Sequence, residues 1–531
     1  MFDILYLLVV LWAVSIARTA LFWLYLWQLK EYHIPRFIDH FRTHKGRRIF
    51  INVFFIVKLC IFIALFGISQ RAFGFLITFW VLMALYAVDI AFMIIRRRVF
   101  TPVWTRKTLL LTTLTAFVIA VLTLYLRGNI RIFMVLDVLV PVIVSAVVLC
   151  VQPFFVLVRH RILKKAREKI SSYKNLIVIG ITGSYGKTST KEFLKTILSQ
   201  QFVVLATPEH KNSEMGIAQT ILNELNDKHQ IFIVEMGSYT KGGIKLLCDI
   251  VKPNIGIVTG VNEQHLATFG SMENLLSAEG GEELLQSLPP NGTMVFNGDN
   301  KYCLDLYKKS KIKKQKLYTV NKNVSADIWA EEISVTKDSL DFVIATKEKH
   351  MAHCIVNVLG KHNIQNILGA AAIAMELGMR LETIAASCEH ITPDQAGITL
   401  KQGIDGIEII DSSYSANPTG VKADLEHLKT FSGKKVVVMP CLIELGKKSA
   451  DVHYVLGKKI AEVCDLAIIT TKDKFEYLRM GAKSRGMKEG DMISRENPQE
   501  IFQKIKEFCS EGDTVLLEGR VPKELIRLLT K

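Results

Sequence analysis

Residues 176–191 read Leu176-Ile-Val-Ile-Gly-Ile-Thr-Gly-Ser-Tyr-Gly-Lys-Thr-Ser-Thr-Lys191: an apolar run, a glycine turn, then Gly186-Lys187-Thr188 opening a helical stretch. An apolar strand delivers the chain to the turn, and glycines let the backbone approach phosphate oxygens closely. The helix N-terminus offers unpaired N–H groups and a positive dipole end. Lys187 reaches toward terminal phosphates, and the Thr188 hydroxyl is suited to Mg²⁺. Ile181 stands where the usual G-x-x-x-x-G-K-[ST] loop has its first glycine, so the pattern here is T-G-x-x-G-K-T. Gly183, Ser184, Tyr185, Gly186, Lys187, Thr188 and Ser189 are the expected nucleotide-binding residues.

Outward from this loop the composition splits. The first 158 of the 531 residues are dominated by apolar runs, and the remainder has the mixed composition of a soluble protein. Five runs, at 2–27, 51–68, 73–95, 109–126 and 133–158, have the length and apolarity of membrane spans. The first lacks a basic leader and is followed by four more, which argues against a cleaved signal peptide. The net charge of +16 gathers in short basic clusters between these runs and forms no stripe with interleaved aromatics, so nucleic-acid binding is not expected. The clusters are Lys30, Arg36, Arg42, Lys45, Arg47 and Arg48; then Arg96, Arg97, Arg98, Arg106 and Lys107; then Arg159, Arg161, Lys164, Lys165, Arg167 and Lys169. The alternate loops carry only Arg71, and Arg127 with Arg131. The positive-inside rule therefore predicts a multi-pass cell-membrane protein with its N-terminus outside and everything after 158 in the cytosol. Arg18, Lys58, Asp89 and Asp137 fall within the apolar runs. Charges there are costly, and they read either as a head-group pocket or as helix–helix pairs, with snorkelling a further option for Lys58. Nine cysteines are scattered without a C-x-x-C pair, which fits reduced thiols.

Residues 159–174 read as a basic, amphipathic link, expected as a helix on the anionic inner leaflet. Beyond it, β-rich runs at 176–181, 202–205, 231–235, 255–259 and 293–296 alternate with helical stretches, predicting a parallel sheet covered by helices. A second set near 407, 436–439, 466–470 and 514–517 predicts a smaller α/β domain. The expected organisation is an α-helical membrane domain over 1–158, the linker over 159–174, a P-loop parallel-sheet ATPase domain over 175–396 and a Rossmann-like domain over 397–531.

Further stretches fall in order behind the loop. They are Ala206-Thr-Pro with Asn212 and Gly216; Val234-Glu-Met-Gly; and Val258-Thr-Gly-Val-Asn-Glu-Gln-His-Leu-Ala-Thr-Phe-Gly-Ser271. Then come Leu359-Gly-Lys-His-Asn-Ile-Gln-Asn366, Ile410-Asp-Ser-Ser-Tyr-Ser-Ala-Asn-Pro418, Ile443-Glu-Leu-Gly446 and His453. With the phosphate loop, this order resembles the Mur ligase family, and in particular its members that add a dipeptide to a peptidoglycan precursor. The resemblance implies an ATP- and Mg²⁺-dependent ligase. It would activate a carboxylate as an acyl phosphate for attack by the amine of an amino acid or dipeptide. Its partners would be ATP, a precursor-like acceptor (soluble or lipid-linked), the amine, and membrane lipids.

Residue by residue, the resemblance implies that Lys187 and the loop amides hold the phosphates. Thr188, Glu235, His265 and Glu279 would serve the metals, with Lys187, Glu235, His265 and Glu279 as the catalytic set. Asn366 would lie toward adenine and Asp411 toward the ribose. Four positions depart from the family pattern. Glu279 stands where a carbamylated lysine bridges metals, Ile398 follows Gly397 in place of arginine, Gly260 replaces an asparagine, and Glu518-Gly519-Arg520 replaces Lys-Gly-Ser. The family's UDP-sugar domain has no counterpart, and the apolar runs stand in its place. Three readings follow: a membrane-anchored ligase of the standard envelope pathway, a ligase acting on a lipid-linked or polymeric acceptor, and a non-catalytic nucleotide-binding scaffold.

Overall fold

All five apolar runs fold as helices: Phe2–Leu29, Val53–Gly67, Ala72–Arg96, Arg106–Tyr125 and Ile130–Ser172. The computed structural model describes residues 2–30, 32–41, 46, 49, 53–67, 72–96, 100–125 and 130–530. These divide into two units, Met1–Arg159 and His160–Lys531. Among the described residues three helices, Tyr6–Leu29, Arg106–Tyr125 and Arg131–Ser172, are long and apolar enough to cross a membrane, and Phe55–Gly67 and Leu76–Phe92 are shorter apolar helices. Of the basic residues that set the expected orientation, Arg42, Lys45, Arg47, Arg48, Arg71, Arg97, Arg98 and Arg127 lie outside the described residues.

The four charges picked out within the apolar runs are paired. Arg18 donates to both oxygens of Asp89, at 2.6 and 2.8 Å, and Ser15 adds a hydroxyl at 2.7 Å. Lys58 lies 2.5 Å from Asp137. An unpaired charge in so apolar a setting would cost several kcal/mol, on the order of the desolvation penalty of a buried ion. Of the readings left open by the sequence, the pairing between helices is present in the geometry at all four residues.

The second unit is built on two sheets. The larger contains β1 (Ile177–Thr182), β2 (Val204–Ala206), β3 (Ile231–Glu235), β4 (Ile255–Val258), β5 (Thr293–Asn297), β6 (Lys314–Thr319), β7 (Ile328–Val335), β8 (Leu340–Thr346) and β9 (Met351–Val356). Its order is β2-β3-β1-β4-β5-β6-β7-β8-β9. The pairs from β2 through β7 are parallel, as the strand–helix alternation predicts, and β7-β8-β9 close the sheet as an antiparallel meander that the sequence reading missed. Period-two alternation sends Ile179, Ile181, Ile233 and Ile257 to one core and Val178, Phe232, Val234 and Val258 to the other. Such strands, buried on both faces, read as continuous apolar runs.

The smaller sheet holds β10 (Thr399–Gln402), β11 (Glu408–Ser412), β12 (Lys435–Met439), β13 (Leu466–Ile469), β14 (Met492–Ser494) and β15 (Thr514–Glu518), ordered β10-β11-β15-β12-β13-β14. It is parallel except for β10. Val421, Leu425, Leu428 and Phe431 from this part share a buried cluster with the helices of the larger sheet.

One expectation is corrected. Residues 160–172 are helical, but Leu163, Ala166 and Ile170 are buried in the second unit's core with Leu176, Val178, Ile217 and Ile221, and Lys169 Nζ donates to the Leu222 carbonyl at 3.0 Å. The apolar face is spent on protein, so it is not available to a leaflet.

Candidate active site

Strand register assembles the site at the C-terminal ends of β3, β1 and β4, where open parallel sheets bind ligands. Ile181 pairs with Glu235, and Thr182 with Val258. The acid at the end of β3 and the Thr259-Gly260 turn after β4 thereby flank the loop that follows β1. Gly183 has φ 144°, and a Cβ there would strike the Thr259 hydroxyl and the Gly260 backbone. Gly186 has φ 78°, and a Cβ there would meet Asn366 Oδ1 at 2.6 Å. Both glycines are therefore required by conformation and by close approach. The loop is fixed by the Ser184 N–H to the Gly260 carbonyl at 2.7 Å.

The helix Lys187–Leu198 starts at the loop with no side-chain cap, leaving its first N–H groups toward the site. Lys187 Nζ donates to the Gly183 carbonyl, folded back over the loop it would leave to meet phosphate. The Thr188 hydroxyl lies 3.2 and 3.1 Å from the two Glu235 oxygens. Asn212 Nδ2 donates to Glu235 Oε1 at 3.0 Å, and Lys191 Nζ stands 3.2 Å from Oε2. Burial pushes the Glu235 carboxyl up, but Lys191, Lys187 and the Asn212 hydrogen bond outweigh it and hold the group below its ordinary value. A hydroxyl beside an ionised carboxylate is a hard-oxygen donor set that fits Mg²⁺, with phosphate oxygens and water completing the shell.

A second constellation lies around Glu279. Its Oε2 accepts from Ser184 Oγ at 2.9 Å, and its Oε1 lies 3.0 Å from His265 Nδ1. Glu279 is 1% exposed. His265 Nε2 is 3.8 Å from Glu444 Oε2, and the Glu444 carbonyl accepts the Ala267 N–H at 2.8 Å. Both His265 and Glu444 have positive φ, 67° and 66°. The four expected metal residues thus form two pairs, Thr188 with Glu235 and His265 with Glu279. Among the described residues no three His, Cys, Asp or Glu side chains converge as a ready-made metal cluster.

The remaining expected residues are placed as follows. Tyr185 turns its ring against Gly260, where a Cβ would collide with it, and its hydroxyl meets Asn300 Nδ2 at 3.1 Å. Ser189 Oγ donates to the Ala396 carbonyl at 3.3 Å. Asn366 is buried behind the loop, its amide donating to Asn363 Oδ1 at 2.9 Å and its oxygen accepting from Thr190 at 3.3 Å. Asp411, at the end of β11, lies 2.5 Å from Lys401 Nζ and accepts the Ser413 N–H at 3.0 Å. Burial raises this carboxyl, and Lys401 and Ser413 together bring it below the ordinary aspartate value. Of the departures, Ile398 is a core residue at 1% exposure. Glu518 is buried beside Asp424, and burial with that neighbouring charge pushes its carboxyl well above the ordinary range.

Three participants were not assigned as site residues, although Tyr414 and Glu444 lie within the quoted stretches 410–418 and 443–446. Lys191 is fully buried at the Glu235 carboxylate; the only signal was a lysine on the apolar face of its helix, beside Phe193 and Leu194. Glu444 and Tyr414 reach the site from the smaller sheet. Tyr414 stacks on His210, with ring centroids 5.2 Å apart and 15° between planes, and its hydroxyl meets His210 Nδ1 at 2.8 Å.

The fold and this loop-centred site define a nucleotide-dependent ligase of the Mur type. The Mur ligase middle domain matches residues 181–374, and the Mur ligase, glutamate ligase domain matches residues 398–521. The chain belongs to the Mur ligase family, whose members are ATP-dependent amide ligases. Within that family it is similar to MurF. It is 27% identical over 345 residues to the UDP-N-acetylmuramoyl-tripeptide–D-alanyl-D-alanine ligase of Bacillus subtilis, a match covering 64% of this chain and 72% of that one. It is 31% identical over 322 residues to the enzyme of the same name from Mycobacterium bovis, covering 59% and 62%. The crystal structure of MurF from Acinetobacter baumannii superimposes with a TM-score of 0.63 at 25% identity, over 70% of this chain and 80% of that one. Against the M. bovis enzyme, then, the chain spans less than two thirds of the relative's length.

Proposed function

We propose that this protein is a membrane-anchored, ATP- and Mg²⁺-dependent amide ligase of peptidoglycan precursor synthesis. It would join an acceptor carboxylate to the amine of an amino acid or dipeptide, D-alanyl-D-alanine by likeness to its relatives. The observation that carries this reading is the placement of Thr188, Lys187 and Lys191 around the ionised Glu235, at the mouth of a phosphate-binding loop. Lys187 and the amides of residues 183–189 hold the β- and γ-phosphates, and Asp411 and Asn366 serve the nucleoside side. Thr188 and Glu235 would hold one Mg²⁺, and Glu279 and His265 would serve a second. Bound metal neutralises charge on the transferring phosphoryl group.

The acceptor carboxylate oxygen attacks the γ-phosphorus, and the bond to the ADP oxygen breaks, leaving an acyl phosphate. The amine then attacks the acyl carbon, phosphate leaves and the nitrogen loses a proton. Glu279 supplies, on a shorter arm, the carboxylate that a lysine carbamate would otherwise provide. The five apolar helices anchor the chain in the cell membrane with the N-terminus outside and the ligase unit in the cytosol.

A second reading, a lipid-linked acceptor, draws support from the apolar first unit on the same chain. The test uses the full chain in lipid nanodiscs with ATP, Mg²⁺ and D-alanyl-D-alanine. UDP-N-acetylmuramoyl-tripeptide is compared with its undecaprenyl-linked counterpart, reading ADP release and product mass. ADP release requiring both acceptor and amine is expected. Nucleotide binding without release in either arm would instead favour the scaffold.

A further inference from the structure

Lys191 is fully buried, and its Nζ stands between two carboxylates, 3.2 Å from Glu235 Oε2 and 3.1 Å from Glu192 Oε1. The helix Lys187–Leu198 sets this up. Lys191 lies three residues after Thr188 and four after Lys187, so all three share one face, with Lys191 one turn below the lysine at the loop. The Glu235 carboxylate is held from its other side as well. Asn212 Nδ2 donates to Oε1, and the Thr188 hydroxyl reaches both oxygens. Two negative charges, Glu235 and Glu192, thus stand against two positive ones, Lys191 and Lys187, whose fields both act on Glu235. Around Glu235 the site is electrically balanced before any ligand enters.

A balanced site offers little to a free divalent cation: the carboxylate attracts it, and the two ammonium groups oppose it at similar range. Phosphates reverse that balance. Lys187 would leave the Gly183 carbonyl for phosphate oxygens, and the charge of a triphosphate exceeds what one lysine and the loop amides neutralise. We propose that Lys191 is a positioning residue, the resident counter-ion of Glu235, which keeps a divalent cation out of the empty site and admits it only together with the phosphates of the nucleotide. This rests on the ligase reading above, which gives Thr188 and Glu235 their metal role. Lys191 holds Oε2 while Asn212 holds Oε1, so the carboxylate is already oriented when the phosphates arrive. A lysine that served packing alone could be exchanged for an apolar side chain of like length with no change in cation binding.

The test titrates Mn²⁺ into the full chain in nanodiscs at pH 8, with and without a non-hydrolysable ATP analogue, and reads bound ion by electron paramagnetic resonance. The unmodified protein is expected to bind Mn²⁺ about 10-fold or more tightly with the analogue than without it. Lys191→Met should bind Mn²⁺ without nucleotide about 10-fold or more tightly than the unmodified protein, and Lys191→Arg should restore the original behaviour. Glu192→Gln gives Lys191 wholly to Glu235 and should weaken Mn²⁺ binding, so the two charge removals move affinity in opposite directions, which a general loss of structure would not do. Glu192 is partly exposed, and this variant carries the test if Lys191→Met fails to fold. The assignment is overturned if the unmodified protein takes Mn²⁺ equally well without the analogue, if Lys191→Met binds it no more tightly, or if Glu192→Gln leaves Mn²⁺ affinity unchanged. Failure of the unmodified protein to bind the ATP analogue at all would sink the ligase reading, an outcome separate from these.

Discussion

Glu279 Oε1 lies 3.0 Å from His265 Nδ1 while its Oε2 accepts from Ser184 Oγ at 2.9 Å, so one buried carboxylate ties His265 to the glycine loop after β1. If that carboxylate supplies the charge of a carbamate, turnover should not respond to bicarbonate depletion. Glu279→Gln keeps the shape and removes the charge, and turnover should fall by about 10²-fold, mainly in kcat. Glu279→Lys should regain activity only with bicarbonate. Near-normal kcat in Glu279→Gln would transfer the role to another residue.

Lys187→Ala should abolish ATP-dependent ADP release while the chain still inserts and folds. The lysine is partly exposed, and its amine's hydrogen bond among the described residues goes to the Gly183 carbonyl, so it contributes little to the core. Steady-state turnover and a melting curve on the same preparation check this. Retained turnover would remove the phosphate-loop assignment.

Gly260 and Tyr185 should behave as a coupled pair. Gly260→Asn restores the family residue but drives a side chain into the Tyr185 ring, and such overpacking costs about 1–3 kcal/mol. Adding Tyr185→Ala should recover much of that loss. A double-mutant cycle on unfolding free energies measures the coupling, and simple additivity would mean the ring moves aside without cost.

The Lys401–Asp411 pair links stability to pH. Asp411 has its carboxyl below the ordinary aspartate value in the folded state. Its contribution is therefore fully present above that ordinary value and is lost as pH falls through the lower folded one. Lys401→Met should cost about 1 kcal/mol or less at pH 7, because Lys401 is partly exposed. The difference between the two proteins should shrink on acidification. Denaturant unfolding from pH 7 to pH 3 reads it, and a gap that widens would contradict the pairing.

Reporters fused after residue 158 should sit in the cytosol, and reporters at the N-terminus and near residue 129 outside. The basic clusters flank alternate runs in that sense. A cytosolic signal near 129 would overturn the five-span arrangement.

The sequence by itself determined what depends on neighbours along the chain. Strand, glycine turn, lysine and threonine lie within sixteen residues, so the phosphate loop was readable without the fold. The five apolar helices followed from composition alone, as did the parallel strands β1 to β5, whose runs are apolar on both faces. In the β7-β8-β9 meander, β7 is half-exposed and its register shifts between Glu331 and Ser334, which breaks the period-two signal there, whereas β9 keeps a clean alternation that went unread. Tertiary structure alone decided which acids meet which cations. Lys191 could have faced water, and only the Ile181–Glu235 register sets the carboxylate beside it. The linker's apolar face fitted a leaflet or a protein core equally well by pattern, and packing against Leu176 and Ile217 settled it. Tyr414 and His210, 204 residues apart, meet because two sheets share one buried cluster. Local pattern specifies a side chain's chemistry and the face it occupies, whereas its partner is chosen by burial and register between segments that no local pattern relates.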